Sequence, residues 1–201
     1  MRNIKDFYYN KAKQDKYPAR SVYKLEEAQK KYHLLAKDNS VLDLGCRPGS
    51  WSLYAAKITG PKGLVVGVDL KEAAKEKTPG AANIQWFCSD IMAPDFLTIL
   101  KQTWSKFHVV LSDMAPKTSG NKWVDQQRSL RLAERSLEIA EQMLYEGGNF
   151  FCKVFQGEDF PEFVNEVRKR FKMTKTIKPK SSRTESREVF VLAMGLKKFE
   201  G

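Results

Sequence analysis

The sequence predicts an α/β fold that holds a nucleoside ligand at the carboxyl ends of parallel strands. One observation is residues 40–51, SVLDLGCRPGSW, where a short apolar strand runs into a glycine loop and then into a helix over Ser50–Ile58. A second is that the next three apolar segments are each followed closely by an aspartate. Parallel strands present their carboxyl ends at one edge of a sheet, where such folds bind their ligands.

The glycine loop does not follow the dinucleotide-binding pattern, which needs glycines at its first, third and sixth places. Gly45 and Gly49 are four residues apart, and Arg47 and Ser50 occupy the other two places. The carboxylate of Asp43 would repel a pyrophosphate, but it suits a ligand that carries an ammonium or sulfonium charge. The loop therefore favours a ligand of the S-adenosylmethionine type, and the alternative is a structural turn without a ligand.

Length and composition indicate one domain with a nucleic-acid partner. The 201 residues match the usual size of a single domain and are enough to bury a core. The chain has 35 Lys and Arg against 24 Asp and Glu, a net charge of +11. Such an excess of positive charge indicates a polyanionic partner, and nucleic acid is the commonest one.

Three scattered cysteines and two histidines predict neither a disulfide framework nor a zinc site. No apolar run approaches the roughly 18 residues of a membrane span, and the N-terminus lacks a signal-peptide core. We therefore expect a cytoplasmic protein that binds no metal and no membrane, and we expect a monomer.

The first 31 residues form a basic N-terminal segment that contains nine basic side chains, four acidic ones and five aromatic rings. A site for single-stranded or loop RNA needs cations that contact phosphates, next to aromatic rings that stack on bases. The alternative is a solvated arm whose rings pack against the domain. Within this segment, Arg20–Tyr32 predicts a helix with Val22, Leu25 and Ala28 towards the core.

The other elements follow from apolar periodicity and turn signals. Strands are predicted at Gly63–Leu70, Asn83–Phe87, Phe107–Ser112, Asn149–Phe155 and residues 187–195, and helices at Asp125–Tyr145, capped by Gly147 and Gly148, and at Phe160–Phe171. Arg128, Arg131 and Arg135 lie along one line of the long helix, facing RNA phosphates or solvent. Residues 168–180 have seven basic side chains and no acidic one, which indicates a solvated basic surface or a second RNA-binding one.

Four residues at or near strand ends are candidates for chemistry. Asp69 is placed to accept hydrogen bonds from ribose hydroxyls, and Asp90 from an adenine amino group. Asp113 follows the fourth strand, and Lys153 interrupts the apolar fifth strand. Lysine is rarely buried without a partner, and burial favours its neutral, basic form. The alternative for Lys153 is an edge-strand lysine that faces solvent.

Six segments, in this order and spacing, closely resemble the FtsJ/RrmJ-type ribosomal RNA 2′-O-methyltransferases: SVYKL, DLGCRPGSW, VDL, LSDMAP, FFCKVFQG and SSRTESREVFVLA. The resemblance runs from about Tyr17 to Gly195. It implies a Rossmann-like methyltransferase fold that binds S-adenosylmethionine, with a mostly parallel seven-stranded sheet and helices on both faces. Arg47 and Ser50 depart from the family, which usually has a small residue and a glycine at these positions.

Matched by motif, the resemblance implies a catalytic tetrad of Lys24, Asp113, Lys153 and Glu188. It implies a cofactor site that contains Gly49, Trp51, Asp69, Asp90 and Asp113. The implied reaction is methyl transfer to a ribose 2′-hydroxyl, with Lys153 accepting or steering the hydroxyl proton. The expected substrate is a uridine of 23S ribosomal RNA, presented on the large ribosomal subunit.

Three alternatives to this function remain open at this point. The substrate could be a tRNA or an mRNA cap rather than ribosomal RNA. The protein could instead bind RNA with a cofactor pocket that no longer functions, although Asp43, Asp69, Asp90 and the complete tetrad argue against this. A dinucleotide-dependent oxidoreductase is the third, and the glycine spacing disfavours it.

Overall fold

The structure, a computed structural model, describes residues 4–71, 83–182 and 185–198, with side chains from Phe7 onward. Its strands are β1 (Ser40–Leu44), β2 (Leu64–Asp69), β3 (Asn83–Cys88), β4 (Phe107–Ser112), β5 (Leu144–Phe155), β6 (Phe171–Ile177) and β7 (Glu188–Leu196). They form one sheet in the order β3-β2-β1-β4-β5-β7-β6. The first five strands are parallel, and β7 runs antiparallel to both β5 and β6.

Helices cover both faces of this sheet. They are α1 (Ile4–Gln14), α2 (Val22–Tyr32), α3 (Ser50–Thr59), α4 (Phe96–Thr103), α5 (Lys122–Met143) and α6 (Phe160–Arg170). The first three contribute to the apolar core on one face, and the last three to the core on the other. The predicted fold class, a mostly parallel seven-stranded sheet with helices on both faces, is confirmed.

The central strand β1 shows why these residues form this architecture. Val41 packs under α2 and α3, whereas Leu42 and Leu44 pack against the opposite helix layer. Successive side chains of a strand point to opposite faces, so a strand covered on both sides has to be apolar almost throughout. Asp43 is the one polar residue in the middle of this strand, and it is buried.

The predicted boundary between the long helix and the fifth strand is wrong. The helix α5 ends at Met143 and β5 begins at Leu144, so Gly147 and Gly148 lie inside the strand. The register between β4 and β5 shifts here, and Gly147 has a φ of +79°. A glycine pair after an amphipathic helix is typical of a helix end, but glycine also permits the left-handed backbone of a β-bulge.

Three elements were not predicted: α1, α4 and the edge strand β6. In β6, which falls in the basic run at residues 168–180, Phe171 is buried while Lys172 and Lys175 are exposed. Lysines on an edge strand discourage pairing with other chains, and they also weaken the apolar pattern that reveals a strand. Within the described ranges, no helix has both the length and the apolar character needed to span a bilayer.

Candidate active site

The loops that follow the first four parallel strands border a cavity of about 530 Å³ at the carboxyl edge of the sheet. This volume falls within the range of small-molecule sites, roughly 300–1,000 Å³. Three carboxylates line the cavity, from Asp69, Asp90 and Asp113. Apolar side chains that sequence reasoning did not single out complete the wall: Leu70, Ile91, Met92 and Met114. Each of these apolar residues follows one of the predicted aspartates by one or two positions. That closeness in sequence is the signal that could have identified them.

The glycine loop lets the backbone pass close to this cavity. Gly45 has a φ of +73°, and a Cβ atom there would collide with the side chain of Met114. Gly49 has a φ of +108° and lies directly before α3, where its N–H donates to the carbonyl of Cys46 at 2.7 Å. Both positions favour glycine, because other residues rarely adopt a left-handed backbone.

The two departures from the family pattern each make a specific contact. The backbone N–H of Arg47 donates to Oδ2 of Asp69 at 3.1 Å, and Arg47 borders the cavity. The hydroxyl of Ser50 accepts a hydrogen bond of 2.7 Å from the backbone N–H of Ala19. Ser50 thereby ties the glycine loop to the segment that precedes α2.

Asp43 is almost fully buried, two residues before the glycine loop, with 1% of its surface exposed. Its Oδ2 accepts a hydrogen bond of 2.6 Å from the hydroxyl of Ser52. Its Oδ1 has no hydrogen-bond partner among the described residues. Burial raises the pKa of Asp43 to about 7, although the hydrogen bond from Ser52 acts in the opposite direction.

The tetrad residues meet beside the cavity, and their side chains are only 7–17% exposed. Lys153 Nζ lies 2.8 Å from Asp113 Oδ1 and also donates to the backbone carbonyl of Asp113. Lys24 Nζ lies 2.8 Å from Glu188 Oε1 and 3.9 Å from Asp113 Oδ1. The order of contacts is therefore Lys153, Asp113, Lys24 and Glu188.

Strand pairing and helix packing bring these four residues together. In the antiparallel pair of β5 and β7, Lys153 is opposite Phe190 and Phe155 is opposite Glu188. The ammonium group of Lys24, on α2, lies 5.3 Å from the centre of the Phe190 ring. A cation over an aromatic face is attracted by the ring, so Phe190 helps to hold Lys24 above the end of the sheet.

Glu188 is charged in this arrangement. Its burial acts to raise its pKa, but the charge of Lys24 and the hydrogen bond from Lys24 outweigh burial and hold the pKa below its ordinary value. Lysines and carboxylates therefore alternate along the site, with Asp113 between the two lysines and Glu188 at the end beyond Lys24. Each charge has an opposite charge close to it, which is the condition for burying charged groups at all.

Trp51 and Gly49, both predicted to bind the cofactor, are not among the described residues that line the cavity. The Trp51 indole stacks on Phe151, with the ring centres 5.4 Å apart. Its ring N–H donates to the backbone carbonyl of Ser21 at 2.8 Å. Ser21 directly precedes α2, so Trp51 connects the helix that carries Lys24 to the core.

Arg135, one of three arginines considered for RNA phosphates, supports the cavity from behind. Its Nε donates to the backbone carbonyl of Ile91 at 2.7 Å, and its Nη1 lies 2.7 Å from Glu138 Oε2. Arg128 and Arg131 are exposed. In the basic run at residues 168–180, Lys169 and Arg170 form ion pairs with acidic side chains of α5 and α6.

The aromatic rings of the basic N-terminal segment divide between the two predicted alternatives. Tyr23 is buried, and Tyr8 and Tyr17 pack against the core under α2 and α3. Phe7 and Tyr9 are 56% and 53% exposed.

Arg2 lies outside the described residues, as does the side chain of Lys5, and so do residues 183–184 in the last motif.

Comparison with known proteins agrees with this geometry. A family model described as FtsJ-like methyltransferase matches residues 17–196. Two relatives are named ribosomal RNA large subunit methyltransferase E. The protein from Desulfotalea psychrophila is 57% identical and covers 98% of both chains. The protein from Desulfosudis oleivorans is 47% identical over 98% of this chain and 93% of its own.

Solved structures show the same fold. A protein assigned as a ribosomal RNA methyltransferase from Plasmodium falciparum has a TM-score of 0.73 at 27% identity, covering 91% of this chain and 100% of that chain. Fibrillarin from Aeropyrum pernix, solved in complex with S-adenosyl-L-methionine, has a TM-score of 0.62 at 15% identity, covering 87% of this chain and 76% of its own. As its motifs predicted, the chain belongs to the FtsJ-like methyltransferase family.

Proposed function

We propose that this protein transfers a methyl group from S-adenosylmethionine to a ribose 2′-hydroxyl of a uridine in 23S ribosomal RNA, on the large ribosomal subunit. The observation that carries the proposal is the chain of contacts from Lys153 through Asp113 and Lys24 to Glu188, directly beside a ligand-sized cavity. The names of the relatives support the large-subunit substrate. Membership of a methyltransferase family leaves no support for a dinucleotide-dependent oxidoreductase.

The residues around the cavity fit S-adenosylmethionine. Asp69 and Asp90 offer acceptors for ribose hydroxyls and for an adenine amino group. The unpaired Oδ1 of Asp43 favours a positively charged ligand near the glycine loop. Gly49 and Trp51 contribute by shaping the loop and its support. When bound, S-adenosylmethionine supplies an electrophilic methyl group on a sulfonium centre.

We assign removal of the 2′-hydroxyl proton to the tetrad. This hydroxyl is a weak nucleophile at neutral pH, so its proton has to leave as the oxygen attacks. Two oxygens of Asp113 contact Lys153 Nζ and set its position, which is what a base needs in order to meet one specific hydroxyl. Lys153 is the group that accepts or steers this proton. Lys24 and Glu188 hold Asp113 in place from the other side.

The remaining features of the proposal concern partners and location. The net charge of +11 supports binding to ribosomal RNA, and the exposed Phe7 and Tyr9 add stacking surfaces to the basic N-terminal segment. We propose that residues 1–201 act as a single methyltransferase domain, as a monomer, in the cytoplasm. Since the 2′-hydroxyl distinguishes RNA from DNA, we expect no transfer to DNA.

The experiment that tests the proposal measures transfer of a labelled methyl group to large ribosomal subunits purified from a strain that lacks this gene. Wild-type protein and the Lys153→Ala variant are compared, and the product is mapped by mass spectrometry. Deproteinised 23S RNA, tRNA and capped mRNA serve as parallel substrates. Label on one ribose 2′-oxygen of the subunit, with wild type alone, is the expected result. Transfer to tRNA or to an mRNA cap instead would keep the reaction but show that the proposed substrate is wrong. No transfer to any RNA would overturn the proposal.

A further inference from the structure

Trp123 is the most exposed of the four tryptophans, with 61% of its surface open to solvent. Trp51 is buried, and Trp86 and Trp104 are half-buried. A single exposed apolar side chain is not unusual in itself. The position, the rigidity and the charged neighbours of this one together indicate a function.

The start of α5, which carries Trp123, lies between the loops that follow the two catalytic strands. On one side, the loop from Asp113 leads directly into α5, and its residues 114–117 line the cavity. On the other side, Gln127 Nε2 donates to Asp159 Oδ2 at 2.5 Å, in the segment that follows β5 and Lys153. Trp123 is therefore at the same edge of the sheet as the tetrad.

The backbone that holds the Trp123 ring is fixed by hydrogen bonds. Asn121 Oδ1 caps α5 by accepting from the N–H groups of Trp123 at 3.1 Å and Val124 at 3.2 Å. Asp125 Oδ1 accepts from the N–H and the hydroxyl of Ser119 at 2.7 and 2.8 Å. An exposed ring on a fixed backbone loses little conformational freedom when it binds a partner, so binding is less costly.

Two exposed lysines close to Trp123 in the sequence favour a nucleic-acid partner. Lys117, at the border of the cavity, and Lys122, next to Trp123 in sequence, are both exposed. Asp125, the acidic residue in the first turn of α5, is buried and already accepts hydrogen bonds from Ser119. An exposed aromatic ring with cations beside it is the combination that binds unpaired RNA, because the ring stacks on a base while the cations contact phosphates.

We infer that Trp123 stacks on an unpaired RNA base next to the nucleotide that is methylated, while Lys117 and Lys122 contact the flanking phosphates. This inference rests on the proposed function, since it takes RNA as the substrate. It adds Trp123 as a residue that positions the substrate. Trp123 lies outside the sequence motifs that contain the tetrad and the cofactor loop. It also requires the bases around the target to be unpaired when the protein binds.

The test compares Trp123→Ala and Trp123→Phe with wild type, using large ribosomal subunits as substrate. Tyr145→Ala is the matched control, because Tyr145 is also an exposed ring, 41% open, but lies at the start of β5, at the opposite edge of the sheet. Trp123→Ala is expected to raise KM for subunits about 10-fold, because the RNA base loses its stacking partner. The kcat at saturating subunits and the Kd for S-adenosylmethionine should stay at wild-type values. Trp123→Phe should retain most of the affinity, and Tyr145→Ala all of it.

Salt dependence separates stacking from charge. The slope of log Kd against log salt concentration should be unchanged in Trp123→Ala, whereas Lys117→Ala and Lys122→Ala should each reduce it by about 0.7. A wild-type KM in Trp123→Ala, or an equal effect of Tyr145→Ala, would overturn the inference.

Binding of RNA to the Lys153→Ala variant, followed by Trp fluorescence with and without Trp123→Phe, makes the test independent of catalysis. If the wild-type protein transfers no methyl group but RNA quenching still requires Trp123, the proposed function is rejected and so is the position beside a methylated nucleotide, whereas the stacking of Trp123 on RNA is retained. Active wild type without Trp123-dependent quenching would reject the inference alone.

Discussion

Lys153 and Asp113 are joined by two hydrogen bonds, because Lys153 Nζ donates both to Asp113 Oδ1, at 2.8 Å, and to the backbone carbonyl of the same residue. Asp113 also lines the cavity. The proposed base is therefore positioned by a residue of the cofactor site itself. We therefore expect a change in the loop after β4 to move both the base and the cofactor site.

Lys153→Ala and Lys153→Arg separate a base from a fixed charge. We expect Lys153→Ala to abolish methyl transfer while the Kd for S-adenosylmethionine stays within about twofold, a change of under 0.5 kcal/mol, since Lys153 is not among the described lining residues. Lys153→Arg should be equally inactive, because a guanidinium cannot be deprotonated in proteins. Single-turnover assays and calorimetry measure the two quantities. Activity in Lys153→Arg would mean that the lysine acts through its charge, and loss of cofactor binding in Lys153→Ala would indicate a structural role.

Glu188→Gln should destabilise the protein in a pH-dependent way. Glu188 has a pKa below its ordinary value of 4.5, so its ion pair with Lys24 contributes stability above that pH and loses it as the pH falls through the lowered value. The variant leaves Lys24 without this partner, and we expect it to be about 2 kcal/mol less stable than wild type at neutral pH. Urea unfolding at a series of pH values measures the difference, which should shrink in acid. A difference that is constant with pH would contradict the ion-pair explanation.

In wild type, we expect the free energy of unfolding to fall as the pH rises, because Asp43 becomes charged. The Asp43→Asn variant should not show this fall. Asp43 has its pKa raised from 3.8 to about 7, so between these values the folded state binds more protons than the unfolded state. The free energy of unfolding therefore falls with rising pH in this window, by about 1.4 kcal/mol per pH unit at most. Asparagine carries no charge and can still accept the hydrogen bond from Ser52. Chemical unfolding near pH 5 and pH 7 is the measurement, and parallel pH profiles for wild type and variant would refute the shift.

Gly157→Ala should strain the start of α5. A Cβ atom at Gly157 would collide with the side-chain amide of Gln126, which is buried in the second turn of that helix. We expect a loss of about 1–3 kcal/mol of stability, the usual range for overpacking, together with reduced methyl transfer. The double variant Gly157→Ala, Gln126→Ala is the control, because removal of the Gln126 amide relieves the collision. If thermal unfolding shows no recovery in the double variant, the collision is not the cause.

Some of the site was predictable from local sequence alone. Asp69, Asp90 and Asp113 were expected to lie together because each follows an apolar strand, and parallel strands end at one edge of the sheet. The single lysine in the apolar run of β5 identified Lys153 for a similar reason. Lys24 and Glu188 carry no such local signal, since one is a lysine among many in a basic segment and the other begins a strand. Only the resemblance to a family pointed to them.

The sequence by itself determined the α/β class, the glycine loop and the acidic strand ends, because apolar spacing, glycine and aspartate act over a few neighbouring residues. Tertiary structure decided which charges meet. Lys24 reaches Glu188 only because α2 packs over Phe190 and β7 pairs with β5 in one specific register. It also decided that Gly147 and Gly148 lie inside β5, where the register with β4 shifts, rather than in a helix cap, and that most of the basic run at residues 168–180 is an edge strand. Pairing partners lie far apart along the chain, so the energy that selects these outcomes comes from packing and register, which local patterns do not contain.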